Sequence, residues 1–371
     1  MKILILWSGA VVPAYRQFFL ELSRHAHVRV LSPRTWKHGS REFTAAGANM
    51  GDCEIVEVTY LPRLSARYWV PALIWHLWSY RPRYLYVMDE MDRPSLAWHA
   101  LCARLAWPPV RVVNYALQNL RSPGYYRWHH RLATRINQAL ISRSITASGE
   151  ADAVLKANGF RKPTRVIPLW GSEAFFLPAA PDARAAFRRM HGIREHETVL
   201  FFAGSMVASK GLSLLAQVLP LFPDLRVFTA GNGPLAGTLP RSLPMQWRHL
   251  GALESDQLLR WYQAAEYVIL PSLTMPDWKE QIGRSLIEGI LCGCIAIGSD
   301  SGFIPELTLF PQATFAQGDA ESLAALLSRL PLADAESVRD AQRRNVEERF
   351  TSTAVARATW EFLAGTGRAA T

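Results

Sequence analysis

Short runs of apolar, often β-branched or aromatic residues alternate along the chain with longer stretches whose apolar positions recur at helical spacing. Strands that alternate with helical patterns are typical of βαβ units, which build parallel sheets. In the first part of the chain the predicted strands are Lys2–Trp7, Val28–Leu31, Leu85–Met88, Arg111–Tyr115 and Ser144–Ala147. A second series follows, with the predicted strands Thr198–Ala203, Leu225–Ala230, Tyr267–Pro271 and Ile295–Gly298.

The two series are separated by Leu169–Pro181, where glycine and proline without periodicity predict a linker. A length of 371 residues fits two domains, each large enough to bury a core. We therefore predict an α/β protein of two doubly wound domains, over residues 1–172 and 173–350, with a ligand cleft where the carboxyl ends of their strands face each other. The last helical stretch, within residues 351–371, is expected to pack back on the first domain.

Composition excludes several classes of protein. With 49% hydrophobic and 19% charged residues the chain is not disordered, and its glycines and prolines show no collagen-like period. No apolar run reaches the roughly 18 residues of a membrane-spanning helix. Because the first predicted strand begins at Lys2, no secretory leader is expected. Four cysteines are too few for a disulfide scaffold, and Cys292 and Cys294 are expected to be buried and reduced, which predicts a cytoplasmic protein.

Charge is unevenly divided between the two halves. Residues 1–172 carry a formal charge of +13 and the remainder carries −3, within a total of +10. The first domain is therefore expected to attract an anionic partner. Nucleic acid, an acidic membrane face and a phosphate-bearing acceptor all fit this charge, and charge alone does not choose between them.

The segment Trp278–Gly293 carries the strongest candidate chemistry. Gly283 opens an apolar-periodic helix, Glu280 precedes it, and Glu288 lies on it. A helix N-terminus offers unpaired N–H groups and a positive dipole end, so a diphosphate is expected to dock against Ile282, Gly283, Arg284 and Ser285. A carboxylate accepts two vicinal hydroxyls, so Glu288 is placed at a ribose and Glu280 at whatever lies beyond the diphosphate. The alternative is a pair of ordinary solvent-facing glutamates beside a core helix.

Upstream segments support the ligand interpretation. Phe201–Gly211 is a strand, a glycine turn and then Lys210, which is expected to aim a cation at the diphosphate. Ala230–Leu235 and Leu250–Leu253 are further junctions between a strand and a turn. An ordinary solvated surface lysine is the alternative for Lys210 taken alone.

These motifs, in this order, resemble retaining glycosyltransferases of family 4, which have the GT-B fold of two Rossmann-like domains. The resemblance covers most of residues 198–310. The matching positions are Gly204, Lys210–Gly211, Gly231–Pro234, Leu250–Gly251, Pro271–Ser272, Glu280, Glu288 and Ser301–Glu306. Ser205 stands where the family has arginine, and Gly289 stands where alanine is usual.

The first half matches the family more weakly. By the likeness, Gly9 approaches the donor diphosphate from the first domain, and Gln118 falls near the family's first-domain histidine. The resemblance thus implies Glu280, Lys210 and Gln118 as catalytic residues, with Ser205 among the donor contacts. Asp89, Glu90 and Asn119 are placed on the acceptor side. The acidic run from Asp89 also resembles a metal motif of the other glycosyltransferase fold, but we favour an acceptor loop.

The resemblance implies transfer of a hexose-type sugar, with retention, from a UDP- or GDP-linked donor to a hydroxyl of a glycan, a lipid-linked molecule or a small molecule. Neither a metal nor another cofactor is expected to be required, and nucleic acid is not expected as a partner. A nucleotide-sugar epimerase and a non-catalytic nucleotide- or partner-binding subunit are the alternatives. A nicotinamide dehydrogenase is disfavoured because no G-x-G-x-x-G follows the first strand.

Two basic and aromatic segments suggest contact with the inner face of a membrane. Arg63–Arg83 interleaves tryptophan and tyrosine with flanking arginines, although a core helix is the favoured interpretation. Arg127, Arg131 and Arg135 recur at i, i+4 spacing, so they share one helical face, for which ordinary solvation is the alternative.

Overall fold

The computed structural model describes residues 1–38, 41–44, 53–63, 66–120 and 127–365. The chain forms two compact units, one of Met1–Leu169 with Ser352–Thr371 and the other of Trp170–Thr351. The boundaries expected from the sequence, after residues 172 and 350, lie within three residues of these.

Most strands are short and apolar, as the alternating pattern predicts. Those of the first unit are β1 (Lys2–Leu6), β2 (His27–Pro33), β3 (Thr35–His38), β4 (Arg41–Thr44), β5 (Cys53–Val58), β6 (Leu61–Arg63), β7 (Ala66–Trp69), β8 (Tyr84–Val87), β9 (Arg111–Ala116), β10 (Ile141–Thr146) and β11 (Thr164–Val166). Those of the second unit are β12 (Thr198–Ala203), β13 (Leu225–Ala230), β14 (Trp247–His249), β15 (Tyr267–Leu270), β16 (Ile295–Ser299) and β17 (Thr314–Phe315).

Helices connect the strands in both units. The first part of the chain has α1 (Gln17–Ser23), α2 (Leu73–Tyr80), α3 (Pro94–Ala106), α4 (Trp128–Leu140) and α5 (Gly149–Ala157). The remainder has α6 (Pro181–Met190), α7 (Leu212–Val218), α8 (Leu239–Ser242), α9 (Ser255–Ala264), α10 (Arg284–Leu291), α11 (Pro305–Thr308), α12 (Ala320–Leu327), α13 (Ala335–Arg349) and α14 (Ser352–Ala364). Within the described residues, no helix is long and apolar enough to cross a membrane.

The first unit is built on a parallel sheet of seven strands in the order β11-β10-β9-β8-β1-β2-β5. Strand β1 lies inside this sheet, with Ile3 paired between Val28 on β2 and Tyr84 on β8. Both faces of such a strand are covered, which explains why residues 3–6 are apolar without alternation and fully buried. The chain reverses its direction across the sheet between β1 and β8.

The last helix, α14, packs on α1 of the first unit although it follows the second unit in the chain. The hydroxyl of Tyr84 donates to the carbonyl of Leu363 at 2.6 Å, and Arg165 forms an ion pair with Glu361 at 3.1 Å. The ring of Trp360 stacks on His25 with centroids 5.8 Å apart. Helix α14 is therefore part of the first unit's structure.

The second unit has a parallel sheet of six strands in the order β14-β13-β12-β15-β16-β17. The chain runs outward from β12 to β14, returns to β15 beside β12, and then runs outward in the other direction. The point of reversal lies between β12 and β15. With the first sheet, this confirms the predicted pair of doubly wound α/β domains.

Strand prediction succeeds where the apolar run is continuous. Thr198–Ala203 and Leu225–Ala230 have the bounds predicted for them, and both are buried almost throughout. The sequence did not predict β5, β11, β14 and β17 of the two main sheets, nor β3, β4, β6 and β7 of the two small ones. Most of these strands are half-polar or very short. The predicted start of β10 was also too late, because α4 passes into that strand without a turn.

The favoured interpretation of Arg63–Arg83 as a core helix is wrong. The segment contains the end of β6, the strand β7 and only the eight-residue helix α2, while residues 64 and 65 lie outside the described residues. Helix α2 buries Leu73 and Leu77 but leaves Trp75 and Trp78 exposed. Periodicity failed here because almost every position of α2 is apolar, so it gives no solvent-facing side.

Gly289, which the sequence left without a physical account, lies where α10 approaches β15. A Cβ at this position would lie 2.6 Å from Cγ1 of Val268 and 2.7 Å from its Cβ, which is closer than packed carbon atoms approach. Glycine therefore permits a close contact between this helix and the strand below it.

We expect Gly289→Ala to destabilise the protein even though alanine is usual in the resembled family. Overpacking a tight contact costs about 1–3 kcal/mol, which urea unfolding followed by circular dichroism measures. Val268→Ala in the same chain should recover part of the loss, since the two sites share one contact. Gly149→Ala is the control, because nothing lies within 4 Å of its added Cβ; equal losses in both glycine variants would contradict the packing account.

Candidate functional site

The candidate site of the second unit lies at the carboxyl ends of β12 and β15, where the strand order reverses. The chain leaves neighbouring strands in opposite directions at such a point, which opens a crevice for ligands. The loop after β12 contains Ser205 and ends in a 3-10 helix, Ala208–Lys210. The loop after β15 begins at Pro271 and leads to α10. The sequence motifs therefore meet on the two sides of one crevice.

Lys210 and Glu280 form an ion pair between the loop after β12 and the loop after β15. Nζ of Lys210 lies 2.6 Å from Oε2 of Glu280, and the side chains are 16% and 10% exposed. The hydroxyl of Ser272 donates to the same carboxylate oxygen at 2.7 Å. The indole of Trp278 covers the ammonium, with Nζ 4.6 Å from the ring centroid, a cation–π arrangement. The predicted phosphate cation and the predicted sugar carboxylate are thus partners in this structure.

Close backbone contact holds the two loops together. Gly211 has a φ of 66°, and a Cβ there would lie 1.8 Å from the carbonyl oxygen of Pro271. The N–H of Leu273 donates to the carbonyl of Ser209 at 2.8 Å. Only glycine permits this approach, which explains physically why a glycine follows Lys210.

A third loop supports Glu280 from behind. Gly302 has a φ of 57°, and a Cβ there would lie 2.0 Å from the carbonyl oxygen of Glu280. The N–H of Phe303 donates to this carbonyl at 3.3 Å. The segment Ser301–Glu306 therefore fixes the backbone that carries the Glu280 carboxylate.

Helix α10 begins beside this pair. Its N-cap, Gly283, has a φ of 65°, and the carbonyl of Gly283 accepts a hydrogen bond from the N–H of Leu286 at 2.9 Å. Ile282 is buried, whereas Arg284 and Ser285 are partly exposed. The first turn of a helix presents N–H groups and a positive dipole end, an arrangement that suits an anion.

Glu288 lies one turn along α10 from Arg284. Its Oε2 accepts a hydrogen bond from the hydroxyl of Tyr262 at 3.0 Å. Burial raises the pKa of Glu288 to about 7, against the opposing effects of the Arg284 charge and the Tyr262 hydrogen bond. This carboxyl group therefore changes its charge near neutral pH, unlike an ordinary glutamate on a solvent-facing surface.

The acidic residues of the first unit follow β8, beside the reversal of its own sheet. Asp89 is 2% exposed and accepts from the hydroxyl of Ser95 at 2.5 Å. Glu90 is 6% exposed, and its carboxylate accepts from the backbone N–H groups of Leu117 at 3.0 Å and Gln118 at 3.3 Å. Both carboxylates hold the protein's own loops, and their contact with an acceptor stays a prediction.

Three other predicted residues of the first unit lie near the same edge of the sheet. Gln118 is half-buried just after β9, and Asn119 donates to Glu150 at 3.4 Å. Gly9 follows β1 but is buried, and the indole of Trp7 occupies the space that a Cβ on Gly9 would take. In this structure the open face of Gly9 is therefore covered by a side chain of the same loop.

Sequence reasoning missed three side chains that shape the second unit's site. Ser272, Trp278 and Tyr262 touch the ionisable residues predicted there. Ser272 belongs to the matching pair Pro271–Ser272, and Trp278 begins the segment Trp278–Gly293, so the motif itself was a usable signal. Tyr262 lies on α9, and nothing in its local sequence points to Glu288.

Comparisons with known proteins extend this picture. Residues 183–349 match the family model described as Glycosyl transferases group 1. This match lies within the second unit, which we call the group 1 domain.

Relatives of known name match the chain in part. The chain is 27% identical over 165 residues to the GDP-mannose-dependent monoacylated alpha-(1-6)-phosphatidylinositol monomannoside mannosyltransferase of Corynebacterium glutamicum, covering 42% of this chain and 43% of that protein. It is 31% identical over 136 residues to the D-inositol 3-phosphate glycosyltransferase of a Mycobacterium species, covering 34% of this chain and 30% of that protein. The chain therefore covers less than half the length of either relative.

Solved structures match nearly the whole chain. HepE of Anabaena, in complex with UDP and glucose, has a TM-score of 0.73 at 16% identity, covering 98% of this chain and 100% of that one. WaaG, a glycosyltransferase involved in lipopolysaccharide biosynthesis, has a TM-score of 0.67 at 14% identity, covering 98% and 100%. At these identities the likeness establishes the fold, which is GT-B. The group 1 domain is the second unit of that fold.

We expect the affinity of the group 1 domain for a nucleotide sugar to depend on Glu288 and on pH. The carboxylate accepts ribose hydroxyls more strongly than the neutral acid does, and the pKa of Glu288 is raised to about 7. Affinity should therefore fall about tenfold from about pH 8 to about pH 6, as measured by calorimetry with UDP- and GDP-sugars, whose diphosphates do not titrate there.

The Glu288→Gln variant should bind more weakly at high pH and lose this pH dependence. Glu336→Gln, at an exposed position of α13, is the matched control and should behave like the unmodified protein. An unchanged pH profile in Glu288→Gln would remove Glu288 from the ligand site.

Proposed function

We propose that the protein transfers a hexose-type sugar from a nucleotide diphosphate donor to an acceptor hydroxyl. The observation that carries this proposal is the Lys210–Glu280–Ser272 cluster at the strand reversal of the group 1 domain, beside the start of α10. A cation, a helix N-terminus and a hydroxyl-binding carboxylate are the groups that a diphosphate linked to a sugar requires.

The ion pair suggests how the donor is accommodated. An unpaired buried charge is strongly unfavourable, so whatever replaces one partner of the pair must also satisfy the other. A diphosphate takes the Lys210 ammonium, and hydroxyls of the attached sugar then donate to the Glu280 carboxylate. Glu288 holds the ribose at the far end of the molecule. A free phosphate would satisfy Lys210 but leave Glu280 without its cation.

We propose a dissociative reaction with retention. The bond between the anomeric carbon and the diphosphate oxygen breaks, the electron pair leaves with the diphosphate, and an oxocarbenium-like centre forms. The acceptor oxygen attacks from the same face, and the departing β-phosphate oxygen takes its proton. Lys210 and the helix end stabilise the charge that develops on the leaving group. In this proposal Gln118 is the catalytic residue of the first unit and Asn119 lies on the acceptor side, where Asp89 and Glu90 position the loops.

For the donor and the acceptor we propose only the chemical class of each molecule. One relative is named as GDP-mannose-dependent, another as a D-inositol 3-phosphate glycosyltransferase, and HepE is named in complex with UDP and glucose. These names support a UDP- or GDP-linked donor. The acceptor is a glycan, a lipid-linked molecule or a small molecule. We propose a cytoplasmic location because all four cysteines are buried and unpaired, as is usual in a reducing compartment.

We expect incubation with UDP- and GDP-sugars to release free nucleotide, and a new glycoside to form when an acceptor is present. Lys210→Met should reduce this release about 100-fold or more, since it removes a charge that stabilises the leaving group. Chromatography of nucleotide and sugar products measures both. Lys156→Met, at an exposed lysine of α5, is the matched control and should retain full activity.

The alternatives give different products in the same assay. Free nucleotide with an altered sugar and no glycoside would indicate an epimerase. Binding of nucleotide without any turnover would indicate a non-catalytic subunit. Either outcome would contradict glycosyl transfer.

We expect activity to survive treatment with a chelator. On this proposal, Lys210 and the N-terminus of α10 supply the positive charge at the diphosphate that a divalent cation supplies elsewhere. The measurement is the rate of nucleotide release before and after chelation and dialysis. Loss of activity that magnesium or manganese restores would show that this assignment of charge is wrong.

A further inference from the structure

Four tryptophans of the first unit point into solvent. Trp75, Trp78 and Trp128 are 61%, 61% and 75% exposed, and Trp98 is 37% exposed. Within the described residues, these are all the tryptophans that reach such exposure, and they lie on α2, α3 and α4. Among the residues of the second unit that the structure describes, the large apolar side chains with strong exposure are leucines and methionines, and none is aromatic.

The exposed side chains lie on neighbouring helices. Helix α2 packs against α3, and α3 packs against α4. Leu77 on α2 and Leu96 on α3 belong to the first unit's core, so the opposite sides of these helices face outward. We call this surface the tryptophan face, and its exposed members are Ile74, Trp75, Trp78, Trp98, Leu101, Leu105, Trp128 and Leu132.

One further contact adds aromatic surface to the tryptophan face. The ring of Trp69, on β7, stacks on Trp98 with centroids 4.8 Å apart and 23° between the planes. Leu61, at the start of β6, is also 46% exposed. The hairpin of β6 and β7 thus continues the apolar surface beyond the helices.

The charged residues on the helices of the tryptophan face are all positive. Helices α2, α3 and α4 contain no aspartate or glutamate. Their arginines, Arg104, Arg131 and Arg135, are all exposed, and Arg127 precedes α4. Arg131 and Arg135 lie one helical turn apart beside Leu132, so apolar and cationic groups alternate on this side of α4.

We propose that the tryptophan face docks on an anionic lipid bilayer. Tryptophan is enriched at the boundary between headgroups and acyl chains, where its ring is partly apolar and its N–H meets water. Arginines beside it bind lipid phosphates, and the absence of acidic residues from the three helices avoids repulsion from an anionic surface. Large exposed apolar patches with a charged rim mark interaction sites, and the single sign of charge favours a membrane over a protein.

This proposal extends the proposed function. It rests on that function only in taking the acceptor to be a lipid-linked molecule. Docking through the first unit would bring acceptors in the membrane to the unit that carries the predicted acceptor side. Binding to vesicles does not require catalysis, so the two proposals fail in different experiments.

The test is co-sedimentation of the full chain with vesicles of phosphatidylcholine, with or without phosphatidylglycerol. We expect binding to the vesicles that contain phosphatidylglycerol, and we expect salt to weaken it by screening. Arg131→Gln with Arg135→Gln should weaken this binding about 30-fold, as two lost headgroup contacts predict. Arg248→Gln with Arg260→Gln, at exposed positions of the second unit, is the charge-matched control.

The apolar part is tested by Trp75→Ser with Trp78→Ser, for which we expect a loss of at least tenfold. Leu221→Ser with Met245→Ser, at exposed apolar positions of the second unit, is the control and should bind as before. Circular dichroism should show all four variants folded, because every altered side chain is exposed. Nucleotide release from a soluble donor should also persist in each variant, which keeps this test separate from that of the proposed function.

Three outcomes would overturn the proposal. The first is that the full chain ignores anionic vesicles at low salt. The second is that control and face variants lose the same affinity. The third is concentration-dependent self-association in size-exclusion chromatography that the tryptophan substitutions abolish, since the face would then be an interface between proteins.

Discussion

The ion pair between Lys210 and Glu280 is the interaction on which the group 1 domain's site depends. It joins two loops that leave the sheet in opposite directions, and it lies largely out of water. Two charges in such a place stabilise each other only while both remain satisfied. Ser272 and Trp278 complete this environment, with a hydroxyl on the carboxylate and an aromatic ring on the ammonium. The crevice is therefore preorganised around a cation and an anion before any ligand enters.

Glycines make this arrangement possible by letting three loops touch through their backbones. At Gly211 and Gly302 the neighbouring carbonyl oxygens stand where a side chain would begin. The loops after β12, β15 and β16 are thus packed against one another through their backbones. Rigid support of this kind keeps charged groups in place more accurately than a long flexible loop does.

The sequence predicts the strands and the individual side chains of this site better than the contacts between them. Thr198–Ala203 is recognisable because an unbroken apolar run of that length fits a strand covered on both faces. Lys210 and Glu280 are recognisable as separate candidates, but their pairing joins positions 70 residues apart, which only the order of strands reveals. Helix α2 was misjudged for a related reason, since a helix that is apolar all around gives no sign of the side left in water.

The position of α14 has a consequence for how the chain is made. The first unit is complete only when this helix packs on α1, yet the whole of the second unit is synthesised between them. Domains generally fold as units during synthesis. The group 1 domain therefore has all of its residues available earlier than the unit that begins the chain. The N-terminal unit, although its other elements are synthesised first, lacks α14 until the whole of the second unit has been made.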